Sequence, residues 1–148
     1  MAIATTEEFN EMVLETGDGA SPEVWTKICG LIDVTVTRTS NLDTAEVPDC
    51  ADESLPLSLE QSVRSIQVGV SATGVWASES HEVLSDWFYL STRTNFRIGN
   101  TAAASGDTEY ESGAGYISSL TNTRTKGSKV SADIELTFDG TPTRTAKA

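Results

Sequence analysis

The 148-residue chain has little of what most protein chemistry requires. It carries one histidine, two cysteines and four prolines, and ten lysine and arginine residues stand against 22 aspartate and glutamate. One histidine with two cysteines is too few for a Cys/His zinc site. No apolar run approaches the ~20 residues of a membrane helix. The opening MAIATTEEFNEM lacks the basic start and apolar centre of a secretory signal. The expectation is therefore a protein folded in a cytoplasm, away from membranes, with Cys29 and Cys50 reduced and unpaired. A deficit of positive charge also argues against gripping nucleic acid, since phosphates are held by lysine and arginine.

What is present is carboxylate, and it is unevenly spread. Residues 1–60 net −11, whereas residues 61–148 net −1. Apolar residues make up 38% of the chain, enough for one real core in a domain of this size.

The periodicities are mostly those of strands. Short strands are expected over residues 9–15 and 25–28, separated by the turn-forming TGDGASP. Residues 32–38 alternate cleanly: Ile32, Val34 and Val36 share one face, and Asp33, Thr35 and Thr37 the other. A second strand is expected over 63–72, with Ile66, Val68 and Val70 opposite Gln67, Gly69 and Ser71. SESHEVLSDWFYLSTRT carries the one helical pattern, with Leu84, Trp87, Phe88 and Ser91 at i, i+3, i+4, i+7 and Ser78 or Ser80 as N-cap. Further strands are expected over 94–100, 116–124 and 129–138. In the last, Val130, Ala132, Ile134, Leu136 and Phe138 face one way, and Ser131, Asp133, Glu135 and Thr137 the other. The fold class is thus mainly β: an antiparallel sandwich or barrel in one domain, residues 1–148, with one flanking helix. Residues 1–8 and 139–148 are expected to be extended arms.

Between the first two strong strands, residues 39–57 hold almost nothing suited to a core. Segment 43–60 has six carboxylates, Asp43, Glu46, Asp49, Asp52, Glu53 and Glu60, and no basic residue. A loop longer than ~12–15 residues in a compact domain has a job or is disordered.

Known catalytic patterns are absent. His81 lies in the first turn of the expected helix between Glu79 and Glu82, with no nucleophile-elbow serine elsewhere. Asp133 and Glu135 are ~6.6–7 Å apart along a strand. That separation suits an inverting glycosidase, but no aromatic groove accompanies it. GDG and GAG match neither a P-loop nor a dinucleotide fingerprint. The acidic loop lacks the ligand spacing of a calcium loop. The expectation is no enzyme, no cofactor and no metal.

The residues resemble a family. Trp25-x-x-Ile28-x-Gly30, the strand with Asp33 and Arg38, the loop opened by SNLDTAEV, then SIQVGVSATG, HEVLSDWFYLS, NFRIGN and a closing strand pair resemble the major tail (tail tube) proteins. These belong to long, non-contractile phage tails and to gene transfer agents. Nothing after Phe138 resembles the immunoglobulin-like decoration that some tube proteins add. The resemblance implies hexameric rings stacked into a hollow tube, each subunit adding strands to an inner barrel through which DNA passes. It implies that Asp33, Gln67, Ser71, Asp133 and Glu135 face the lumen, and that Asp43, Glu46, Asp49, Asp52 and Glu53 belong to an inter-ring or inter-subunit loop. The partners implied are further copies of the chain and tape-measure, tail terminator and distal tail proteins. The location implied is the virion tail, after assembly in the host bacterial cytoplasm. A related ring or decoration protein, such as a tail terminator, a secretion-tube protein or an immunoglobulin-like module, is the second reading. A monomeric sugar- or protein-binding sandwich is the third.

Overall fold

The computed structural model describes residues 2–148. A short 3-10 turn at Phe9–Glu11 precedes β1 (Met12–Gly17), β2 (Trp25–Lys27), β3 (Leu31–Val47) and β4 (Ser58–Val75). Helix α1 (Ser78–Tyr89) follows, then β5 (Thr94–Asn100), β6 (Thr108–Thr123), β7 (Ser131–Phe138) and β8 (Thr143–Ala146). Every strand pairing is antiparallel, in the order β2-β1-β5-β6-β7-β4-β3, with β8 alongside β6.

Strand β6 lets one sheet act as two layers. Its first part pairs with β5 up to Gly115, and the part from Gly115 to Thr123 pairs with β7. A register slip between Ile117 and Ser119 bends it, as bulges do. Leu14, Phe96 and Ile98 from β1 and β5 then share one core with Val68, Val70, Ile134, Leu136 and Phe138 from β4 and β7. Phe96 is fully buried and stacks on Phe138 at 4.1 Å between ring centroids. Burying each such side chain contributes about 1.5–3 kcal/mol. β2 and β3 end the path with no ladder between them, so the sheet is open within one chain rather than closed as a barrel.

The helix caps the end of this core with a narrow stripe. Leu84 and Trp87 are buried, and the Trp87 indole Nε1 donates to the Gly115 carbonyl at 3.2 Å. Gly115 is required there, because a Cβ would strike the Thr137 carbonyl. Ser80 is buried and bonds the Cys29 carbonyl at 3.1 Å instead of capping. Ala77 is the N-cap and has no side-chain bond, contrary to the expected serine cap. Val83, Phe88 and Leu90 stay exposed, because only the Leu84–Trp87 line meets the sheet.

Four further expectations are corrected. Residues 39–47 are not loop: they continue β3 as the outer half of a long hairpin, registered from Thr39↔Gln67 to Val47↔Ser58. Polar strand residues without a covering layer carry no apolar alternation, which is why the sequence reads as a loop. β6 starts at Thr108, inside a stretch whose small residues mimic a loop. Residues 143–146 form β8, so the C-terminal segment is tied to the body and is not a free arm; Lys147 adds backbone bonds to Asp107 and Gly106. Residues 9–11 form the 3-10 turn, with Phe9 exposed, in place of the start of a strand. Of the expected N-terminal arm, Met1 lies outside the described residues. Cys29 and Cys50 are both free and exposed.

Candidate functional site

Strands β3, β4 and β7 each alternate, and antiparallel register puts partner side chains on the same face. One transverse row reads Asp33–Thr73–Asp133–Thr121, and the next Thr35–Ser71–Glu135–Ser119. Gln67 pairs with Thr39 further along β4. The five residues singled out as lumen-facing, Asp33, Gln67, Ser71, Asp133 and Glu135, therefore share one exposed face of one sheet. The opposite face carries Val34, Val36, Val68, Val70, Ala72, Ile134 and Leu136 into the core. Thr73 donates to the Asp33 carboxylate at 3.4 Å, and Ser118 to the Glu135 carbonyl at 3.2 Å. Among the described residues none of the three carboxylates is in an ion pair. The face is a continuous, hydroxyl-rich and anionic surface. Thr73, Ser119 and Thr121 belong to it and were not singled out from the sequence. Ser119 and Thr121 both follow the β6 bulge between Ile117 and Ser119, which breaks the alternation that would have revealed them.

This polar layer has two unpaired edges. The outer edge of β3 is free along Leu31–Val47, and β6 beyond Gly115 has a strand on one side only. At the outer limit of the body, Arg38 clasps Glu111 with Nη2···Oε1 at 2.8 Å. Past that clasp the hairpin overhangs, since β7 pairs with β4 only over Gly69–Val75.

The acidic residues all lie on or near the overhang. Asp43 and Glu46 are on β3, and Asp49, Asp52 and Glu53 in the connecting turn. Asp49 Oδ1 accepts from Ala51 N at 2.7 Å and Asp52 N at 3.2 Å. The Asp52 carboxylate accepts the Ser54 hydroxyl and, at 3.0 Å, the Ser54 amide. These bonds, the hydroxyl's first, hold its carboxyl below the ordinary aspartate range. The turn is thus locally organised. Among the described residues no group of three or more His, Cys, Asp and Glu side chains is gathered as a metal would require. His81 lies edge-on to Trp76 at 5.0 Å, away from this face.

A family model described as phage tail tube protein matches residues 6–144. The chain belongs to the phage tail tube protein family. It is accordingly a structural protein of the virion tail tube. No curated protein matches it in sequence. Among solved structures it is similar to the tail of an empty gene transfer agent particle, refined helically with C6 symmetry. That match has TM-score 0.73 and 15% identity, over 95% of this chain and 100% of the other. It is also similar to a chain of a native gene transfer agent virion (TM-score 0.69, 14% identity, 95% and 100% covered). The SPP1 tail tube is a third (TM-score 0.69, 12% identity, 96% and 80% covered). At these identities the likeness is one of fold. The fold is that of a tube subunit.

Proposed function

We propose that the protein forms hexameric rings that stack into a hollow tail tube, with the Asp33–Gln67–Ser71–Asp133–Glu135 face lining the bore. The observation that carries this reading is a polar, anionic sheet face bounded by two unpaired edges. Free edges invite strand pairing, and joining the β3 edge of one copy to the β6 edge of the next closes a ring and removes both. Sixfold symmetry is supported by the C6 tail to which the chain is similar.

A bore so lined lets DNA pass without sequence-specific binding. Lysine and arginine would trap phosphates through counterion release. Fixed carboxylates act over ~8 Å at physiological salt and hold a duplex off the wall. Tape-measure, tail terminator and distal tail proteins are the further partners, and assembly takes place in the host cytoplasm before the tube joins the particle. The reading involves no catalytic step. Negative-stain electron microscopy across a concentration series tests it. Rings or hollow tubes are the expected result. Monomers alone, with the purified protein and after co-expression with neighbouring tail genes, would contradict it.

A further inference from the structure

Strand β2 has a free edge, and helix α1 runs beside it across a cleft. β2 pairs with β1 alone. Just past its end, Ile28 N donates to Leu14 O at 3.4 Å. Residues alternate along a strand, so Thr26 turns its amide and carbonyl toward β1, and Trp25 and Lys27 turn theirs outward. Among the described residues no strand meets those outward groups. The cleft holds about 260 Å³, lined by Val24, Thr26 and Ile28 on the strand side and Glu79, Val83 and Leu84 on the helix side. Ile28 and Leu84 are buried, whereas Val24 and Val83 are 59% and 51% exposed. An unpaired strand edge beside an apolar helix flank is the geometry in which an extended peptide adds as a further strand. Its backbone bonds the edge, and every second side chain enters the cleft.

The charge around the cleft selects the kind of peptide. Residues 18–28 and 78–89 hold five carboxylates, Asp18, Glu23, Glu79, Glu82 and Asp86, against one cation, Lys27. Among the described residues none of these six groups is in an ion pair. Acids stand at both ends of the cleft. At the start of β2, Asp18 Oδ1 accepts from Val24 N at 3.0 Å. At the other end Ser80 donates to the Cys29 carbonyl at 3.1 Å, which sets Glu79 there. From Val24 to Ile28 is roughly 13 Å at strand rise, the span between residues i and i+4 of an extended peptide.

The segments of this chain lack that chemistry. Residues 2–8 carry Glu7 and Glu8 and no lysine or arginine. The basic segment Thr143–Ala146 is already paired with β6. The basic residues of 124–130 lie in a turn, closed by Ser128 N donating to Thr125 O at 3.1 Å, so they are not extended.

We propose that the β2–α1 cleft binds an extended segment of a different protein, in which an aliphatic residue is flanked at i−2 and i+2 by lysine or arginine. The aliphatic side chain packs between Val24 and Val83, and the two cations meet the acids at the cleft ends. β2 lies in the layer across the core from β3, β4 and β7. The cleft is therefore separate from the polar face, and its occupation requires no assembled tube.

A fluorescent acetyl-Thr-Lys-Thr-Val-Thr-Lys-Thr-amide, titrated against the full chain and followed by anisotropy, tests this. Saturable binding is expected. It should be at least roughly tenfold weaker for the analogue with glutamate at both lysine positions, and for the chain carrying Val83→Glu. Val63→Glu, exposed on the distant hairpin, should bind like the parent. N-methylation of the probe should abolish binding at residues of one parity and spare the other, since only alternate amides face β2. The peptide analogues decide the matter without any change to the chain. Absence of saturable binding, equal binding of the glutamate analogue, or insensitivity to Val83→Glu in a chain that keeps the parental circular dichroism would overturn the site. Self-association lost in Val83→Glu, with no binding of the probe by the parent, would give the cleft to a second copy and overturn it too.

Discussion

Asp33 on β3 and Asp133 on β7 stand in one transverse row, separated by Thr73 on β4, which bonds the Asp33 carboxylate at 3.4 Å. Two strand spacings put these backbones about 10 Å apart. The carboxylates come from positions a hundred residues apart in sequence, and only the β4 register unites them. Glu135 adds a third charge one row along, beside Ser71. All three side chains are exposed and, among the described residues, none is in an ion pair, so their charges are left facing water.

Reversing the charge of this face should leave the fold intact and change passage. Asp133→Lys with Glu135→Lys should keep the unfolding free energy within ~0.5 kcal/mol of the parent, as exposed substitutions do. Tubes should still form, while DNA delivery by particles carrying the variant should stall. Delivery at the parental rate would remove Asp133 and Glu135 from the bore.

The core depends on the aromatic stack. Phe96 is fully buried between Phe138, at 4.1 Å, and Trp87, at 5.6 Å. Phe96→Ala should cost about 3–5 kcal/mol in a denaturant titration. Gly115→Ala should destabilise as well, because its Cβ would collide with the Thr137 carbonyl and the Phe96 ring.

In the layer built from β1, β2 and β5, the Arg97 guanidinium lies 3.8 Å from the Tyr110 ring centre and 4.5 Å from that of Trp25, with Glu15 3.4 Å from Nη2. This cluster links β1, β2, β5 and β6. Arg97→Ala should cost about 1–2 kcal/mol in thermal unfolding. Arg97→Lys should recover only part of it, since an ammonium lacks the flat face that stacks between two rings.

The hairpin turn should respond to acid. Asp52 is held below the ordinary carboxylate range by the Ser54 hydroxyl and amide. A lowered folded-state pKa means the ionised form favours the ordered turn. That contribution is complete above the ordinary value of 3.8 and is lost as pH falls through the lower folded-state value. Amide exchange at Ser54 should therefore stay slow at neutral pH and speed up well below pH 3.8, relative to an Asp52→Asn reference. A pH-independent ratio would contradict the turn geometry.

Much of the β3–β4–β7 layer was legible in the sequence, because these strands are covered on one face and so alternate. Asp33, Ser71, Asp133 and Glu135 could be assigned to polar faces from that alternation alone. That these faces are one face could not be read, since it follows from pairing between distant segments. The outer hairpin was missed as a strand for the complementary reason. Residues 39–47 have no covering layer in one chain, so selection for a buried face is missing and the pattern looks like a loop. Its acidic character was visible in the sequence; its place on a hairpin reaching past the body was not, because that follows from β7 pairing with β4 only over Gly69–Val75.

Helical reconstruction of assembled tubes by cryo-electron microscopy tests the central claim most directly. The account predicts a bore walled by β3, β4, β7 and the latter part of β6, with Asp33, Asp133 and Glu135 pointing into it. A tube with these carboxylates on its outer surface, and another face around the bore, would contradict it.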